Sequence, residues 1–229
     1  MVSRSIVNFA DGRYIAGQKR LYESITKIPD HKNITCFCAG PHISMPCRVF
    51  TDHRKVPYFF KVESLIYASS YSNLLLWLDA SLYATGGSLH PIFDYIERQG
   101  YLLEWGGWNN AQWCNDASLA GFGFTRDEAE KQRHVRSGMF GISLVHAKGR
   151  QLLESLVRYK LFFCGARENR FKSESLDPRC FGHRQDQSVL SLIAARHGYE
   201  VIDEVPGWFC YGTNRSWLLN IDGSVNHKS

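Results

Sequence analysis

Three stretches of this chain place chemistry-bearing side chains where the end of a strand or the start of a helix would hold them. The first is Trp77-Leu78-Asp79-Ala80-Ser81, a carboxylate directly behind the apolar run Leu74 to Leu78. Five apolar residues in a row suit a strand buried on both faces of a parallel sheet. Open α/β sheets bind ligands at the carboxyl ends of such strands. A hard divalent cation takes one or two protein carboxylates and fills its shell with substrate phosphates. Asp79 suits that chemistry; it equally suits a turn, or the N-cap of a short helix over Ala80 to Leu82.

The second stretch is Gly182-His183-Arg184-Gln185-Asp186-Gln187, ahead of an apolar-faced helix through Val189 to Ala194. Helix N-termini attract anions, and an Arg beside one can hold a phosphate with two parallel bonds. Capping the helix would occupy only one of these polar side chains. The third stretch, Trp105 to Asp116, reads WGGWNNAQWCND. Trp108 and Trp113 offer flat walls for a sugar ring, and Asn109, Asn110, Asn115 and Asp116 offer partners for its hydroxyls. An Asn-rich turn around buried indoles has the same composition. Basic residues gather at Lys131, Arg133, His134 and Arg136 and again at Arg167, Arg170, Lys172, Arg179 and Arg184. They face a diphosphate or a polyanion, or are solvated surface. Glycine-rich dinucleotide and P-loop motifs, HExxH and GxSxG do not occur, which weakens dehydrogenase, P-loop NTPase, zinc-protease and α/β-hydrolase readings.

The elements that must position these residues alternate in type. Strands are predicted over Ser5–Ala10, Ile34–Phe37, Leu74–Leu78, Tyr101–Trp105, Gly138–Val145 and Tyr199–Asp203. Helices are predicted over Gln18–Ile28, from Pro57 onward, over Pro91–Gln99, over Lys148–Lys160, and over Asp186–His197 with Gly198 closing it. Thr125 and Glu128 form the capping box of a further short helix. Gly40 to Pro57, Gly106 to Phe124 and Gly165 to Arg184 read as loops. This alternation predicts an α/β fold with a mostly parallel central sheet flanked by helices, in a single domain over residues 1–229.

Composition sets the wider bounds. Of 229 residues, 44% are hydrophobic and 21% charged, which is ordinary for a globular chain. The formal charge of +5 gives mild attraction to anions, without the dense basic stripe of a dedicated DNA binder. The seven cysteines include no CxxC pair and are odd in number, which reads as reduced thiols of a cytoplasmic protein. MVSRSIVNFADG has no signal-like apolar stretch, and no run approaches the ~18 apolar residues of a membrane span. The expectation is therefore a protein with no membrane anchor.

Taken in order, these motifs resemble a glycosyltransferase of the GT-A fold over most of the chain. SIVNFADGRYIAGQKRL resembles the strand and helix where that fold holds its nucleotide, which implies Asn8 and Tyr14 as donor contacts. The helix after Pro57 (PYFFK) would add Lys61. LLLWLDAS is placed like the strand carrying the Asp-x-Asp metal motif, so Asp79 and Ser81 would face the donor. HRQDQSVLSLIAARHG is similar to the Asp-Gln helix start that touches the donor sugar, which implies roles for Arg184 and Gln187.

Asp116 and Asp186 are the candidates for catalysis, and Trp108, Asn109, Trp113 and His183 for the acceptor or sugar side. The resemblance implies a divalent cation, Mn²⁺ or Mg²⁺, on Asp79, with His227 as a C-terminal ligand. Ser81, however, stands where the second Asp of the motif belongs, which counts against that cation.

The reaction implied is attack of an acceptor hydroxyl on the anomeric carbon of a nucleoside-diphosphate sugar. The acceptor would be a glycan, a small metabolite or a hydroxymethylated base in phage-type DNA. A base acceptor would have to be flipped out of the stack. The alternative is a non-catalytic nucleotide-sugar or carbohydrate-binding protein on the same scaffold, for which Ser81 is the argument.

Overall fold

The computed structural model describes residues 2–39, 51, 53, 55–163, 175–203 and 209–211. The loop expected over Gly40 to Pro57 lies mostly outside them. Arg167, Arg170, Lys172 and His227 lie wholly outside.

Strand β1 (Arg4–Phe9) pairs in parallel with β2 (Thr35–Ala39) and with β3 (Leu74–Leu78). On the other side of β3 lies β6 (Arg133–Ser143), antiparallel both to β3 and to β5 (Tyr101–Asn109). The sheet order is β2-β1-β3-β6-β5, so four strands run one way and β6 alone is reversed. Every residue of β3 is buried, as its apolar run predicts. Successive side chains point to opposite faces, so Leu75 and Trp77 enter one core and Leu74, Leu76 and Leu78 the other.

Five helices supply the cover. Helix α1 (Ile15–Ile25) and α3 (His90–Gln99) bury Leu21, Ile25, Ile92, Phe93 and Ile96 against the second core. Gly100 closes α3 in the left-handed conformation expected of a C-terminal glycine. Against the first core lie α2 (Phe60–Ser69), α7 (Ala147–Arg158) and α8 (Asp186–His197). From Ser188 to Ala194 every residue of α8 is buried, so this helix runs through the interior rather than over it. No helix among the described residues is long and apolar enough to cross a membrane.

Several boundaries differ from expectation, each for a local reason. The helix after Pro57 begins only at Phe60, because Tyr58 sits at φ 61, outside helical space. Strand β5 runs on to Asn109 through two register shifts, one between Leu103 and Trp105 and one between Trp105 and Trp108 that absorbs Gly106 and Gly107. Beyond it, the expected loop is two short helices: α4 (Asn110–Trp113), capped by Asn109, and α5 (Asp116–Phe122), capped by Asn115. Thr125 and Glu128 do form the capping box of α6 (Arg126–Glu130). The strand expected over Tyr199–Asp203 is reduced to one bridge between Ile202 and Glu104. A small second sheet, β4 (Leu82–Ala84) with β7 (Phe209–Tyr211), carries no apolar alternation long enough to read.

One close approach sets the position of the strand end that matters most. A Cβ added at Gly17 in α1 would lie 2.4 Å from the Ala80 carbonyl oxygen, so only glycine lets α1 rest on the turn after Asp79. Alanine at an interior helical position would normally gain up to about 1 kcal/mol over glycine. Overpacking against a backbone oxygen costs about 1–3 kcal/mol, and here the clash wins. Gly17→Ala should lower the urea midpoint. A stabilised variant would mean that α1 and the turn can separate freely.

Candidate functional site

Strand β3 delivers Asp79 into a tight turn, in which the Leu82 N–H donates to the Asp79 carbonyl at 3.0 Å. The Asp79 Oδ1 accepts from the Trp77 indole N–H at 2.8 Å and meets the Lys61 Nζ at 2.8 Å. Asp186, first residue of α8, brings its Oδ2 to 2.7 Å from the same Nζ. The ammonium also reaches the Ser137 carbonyl of β6 at 3.1 Å. It thus donates to one carbonyl and pairs with two carboxylates. The two carboxylate oxygens cannot lie farther apart than those two contacts laid end to end.

Lys61 sits in the first turn of α2 with its side chain 4% exposed, against 10% for Asp186 and 30% for Asp79. Burial alone would lower the lysine pKa. The charges and hydrogen bonds of Asp186 and Asp79 overcome it and hold the ammonium above its ordinary value. The faces of Tyr58 and Trp77 lie 5.5 and 5.4 Å from Nζ, within cation–π range. Beneath the cluster, a cavity of about 10 Å³ opens between Lys61, Asp186, Phe140, Leu156, Phe163 and Leu190. That is room for a single water-sized molecule.

Backbone strain collects at the same place. Among the described residues, Tyr58 (φ 61) and Gln185 (φ 43) are the non-glycine residues with positive φ. One stacks on Lys61 and the other immediately precedes Asp186. Such conformations cost about 1–3 kcal/mol each, and they cluster at sites whose surroundings over-determine them.

The remaining expected residues divide sharply. Asn8 is fully buried behind the cluster, donating to the Leu78 carbonyl and accepting from Gln18 Nε2 at 2.7 Å. It ties β1 and α1 to the end of β3 and presents nothing to a donor. Tyr14, 38% exposed, closes the 3₁₀ turn after β1. Ser81 lies in the turn between β3 and β4, and Gln187 in the first turn of α8 beside Gly106.

Trp108 stays 37% exposed and lines a surface hollow of about 400 Å³ with Asn109, Trp105 and Arg133. The Arg184 guanidinium packs against both Trp108 and Trp113, 4.2 and 3.9 Å from their ring centroids. Stacking there is favourable because the cation is partly desolvated, and it uses the face of the guanidinium rather than its in-plane N–H groups.

His183 is a lock and not a ligand contact. Its Nε2 meets the Phe162 carbonyl at 2.8 Å, and its Nδ1 accepts from the Asn115 N–H at 3.4 Å. Asn109 spends its side chain on the α4 capping box with Gln112. Asp116, 60% exposed, is held by Arg126 and by Ser175 Oγ at 2.7 Å, and none of its described contacts reaches the Lys61 cluster. Of the two catalytic candidates, the structure joins only Asp186 to Asp79.

Tyr58, Trp77, Ser137 and Gln185 belong to the cluster without having been given a role by the sequence, although Trp77 and Gln185 lie inside the stretches that carry Asp79 and Asp186. The one available signal was a lysine set among apolar neighbours in the helix PYFFKVESLI. The position between Asp79 and Asp186 is filled by Nζ, and among the described residues no group of three or more His, Cys, Asp or Glu is arranged to hold a metal. His227 lies outside the described residues.

Deeper still, His134 is fully buried and its Nδ1–H donates to Asn110 Oδ1 at 2.9 Å, while Asn110 Nδ2 donates to Gln132. Burial, with Arg184 and His183 nearby, holds this imidazole well below its ordinary range.

Two measurements follow from this arrangement. Lys61→Met should destabilise the fold by about 3–5 kcal/mol in urea denaturation, because it leaves two carboxylates facing each other without their cation. A loss under 1 kcal/mol, on the order of an exposed pair, would place the cluster in solvent. His134 is neutral in the fold but titrates near pH 6.5 when unfolded, so below about pH 6.5 the unfolded chain binds the extra proton. Stability should therefore fall as pH drops from about 7 to 5. His197, lowered by burial and by Arg196 and Arg158, adds slope of the same sign. His134→Gln should flatten the profile, and an unchanged slope would assign it to other groups.

The chain matches no protein-family model and no curated protein, so its function has to be argued from the site itself.

Proposed function

We propose that this protein is a glycosyltransferase that moves a sugar from a nucleoside-diphosphate sugar to an acceptor hydroxyl, with Asp79, Lys61 and Asp186 at its reaction centre. One observation carries the reading. A carboxylate at the end of the central strand and one at the start of a buried helix, far apart in sequence, converge on a single buried ammonium. They do so at the carboxyl edge of the sheet, where α/β folds bind ligands. A buried charged group with a perturbed pKa and strained backbone both recur at functional sites.

In this reading the donor lies along that edge, over Asp79 and toward Tyr14, with its anomeric carbon near Asp186. The acceptor oxygen attacks that carbon, its bond to the diphosphate oxygen breaks, and the nucleoside diphosphate leaves with the bonding pair. Asp186 takes the hydroxyl proton in an inverting reaction, or supports the oxocarbenium-like centre in a retaining one. Lys61 holds both carboxylates in register. A glycan, a small molecule or a hydroxymethylated base would each supply the hydroxyl. A cytoplasmic setting belongs to the same reading, which the free thiols of Cys36, Cys114 and Cys180 suit.

A thermal-shift screen of nucleotide sugars, followed by assay of nucleoside-diphosphate release, tests the proposal, since a ligand that prefers the native state raises its melting temperature. Asp186→Asn should bind the donor yet release product ~10²-fold more slowly or worse. Undiminished turnover in that variant would return Asp186 to a purely structural role. Donor binding without any release by the native chain would favour the non-catalytic alternative.

A further inference from the structure

We infer that this site operates without a divalent cation, because the Lys61 ammonium already stands between Asp79 and Asp186 and meets the Asp79 carboxylate on which such an ion would have to sit. The functional half of this statement rests on the transferase reading. The binding half, that Asp79 takes up no divalent ion while Lys61 is in place, does not.

The argument is one of charge and coordination. Two carboxylates brought this close repel each other unless a cation takes the place between them. Here a side chain fills it, with contacts of 2.8 and 2.7 Å and a third bond to the Ser137 carbonyl that fixes Nζ in position. Mg²⁺ and Mn²⁺ demand oxygen ligands in near-regular geometry and give up their water reluctantly. Asp79 offers them little, because its Oδ1 already accepts from both Lys61 and the Trp77 indole.

A divalent ion on the other Asp79 oxygen would sit one carboxylate away from a buried positive charge, where solvent screens the repulsion poorly. Moving Lys61 aside is no remedy, since its side chain is 4% exposed and packed between Tyr58 and Trp77. Ser81 agrees with this arrangement: where an internal cation is built in, a second strand-end carboxylate would leave surplus negative charge. The charge of a leaving diphosphate then falls to cations of the protein.

The test measures Mn²⁺ directly, by the electron paramagnetic resonance of the free ion, with the whole chain and three variants. Native protein and Asp79→Asn should take up Mn²⁺ equally weakly. Lys61→Ala, which bares both carboxylates, should bind it at least about tenfold more tightly, and Mn²⁺ should raise its melting temperature. The double variant Lys61→Ala, Asp79→Asn should lose that gain. Mn²⁺ uptake by the native chain that Asp79→Asn abolishes would overturn the inference. So would a folded Lys61→Ala with no gain.

Should Lys61→Ala fail to fold, the comparison of native protein with Asp79→Asn still decides the binding half. In the activity arm, turnover of any accepted donor should be unchanged by EDTA, and chelator-sensitive turnover restored by Mn²⁺ would overturn the functional half. Absence of turnover with every donor would remove the transferase reading and leave the Mn²⁺ result standing by itself.

Discussion

A buried ammonium is the constraint on which the rest of this structure turns. Taking a lysine charge out of water costs several kcal/mol even after relaxation, and only close, well-oriented partners offset it. Lys61 finds them on three elements that share no sequence neighbourhood: the end of β3, the start of α8 and the middle of β6. Those elements are thereby held in one register. The positive φ values at Tyr58 and Gln185 are tolerated because each places a group the cluster needs, an aromatic face in one case and Asp186 in the other.

The segment rich in Trp and Asn serves the same end from behind. The carbonyl of Trp113 accepts from Ser188 Oγ and, at 3.3 Å, from the Arg184 N–H, while the Phe181 N–H reaches the Gln112 carbonyl at 2.8 Å. Arg184 stacks between the two indoles, and His183 clamps the Phe162 carbonyl and the Asn115 N–H. The inner part of this polar run is thus a cradle for the start of α8, while Trp105, Trp108 and Asn109 line an open hollow on its outer side. The cradle's contribution to chemistry is to aim Asp186, which a site built on rigid elements requires.

Such a cradle accounts for the particular errors of reading. Asn109, Asn115, Asp116 and His183 are the residue types that bind sugars, and they are equally the types that cap helices and satisfy stranded backbone groups. The second use depends on a partner that the chain brings from elsewhere, as Arg126 comes to Asp116. Asn8 was singled out for its place at a strand end; that place was correct, but full burial beside Leu78 and Gln18 turned the side chain inward.

What the amino-acid sequence determined by itself was whatever depends on near neighbours. The five apolar residues of β3 required a strand covered on both faces. The apolar face of α3, and the span of α8 from Asp186 to the glycine after His197, followed from local spacing and end signals. The placement of Asp79 at a strand end and Asp186 at a helix start came with them. Only the tertiary structure decided that these two carboxylates meet, and that they meet on Lys61. Hydrophobic periodicity says which face of a helix is buried, but it carries no record of which distant charge lies opposite a buried lysine. That pairing is set by β-sheet register and by the path of α8 through the core.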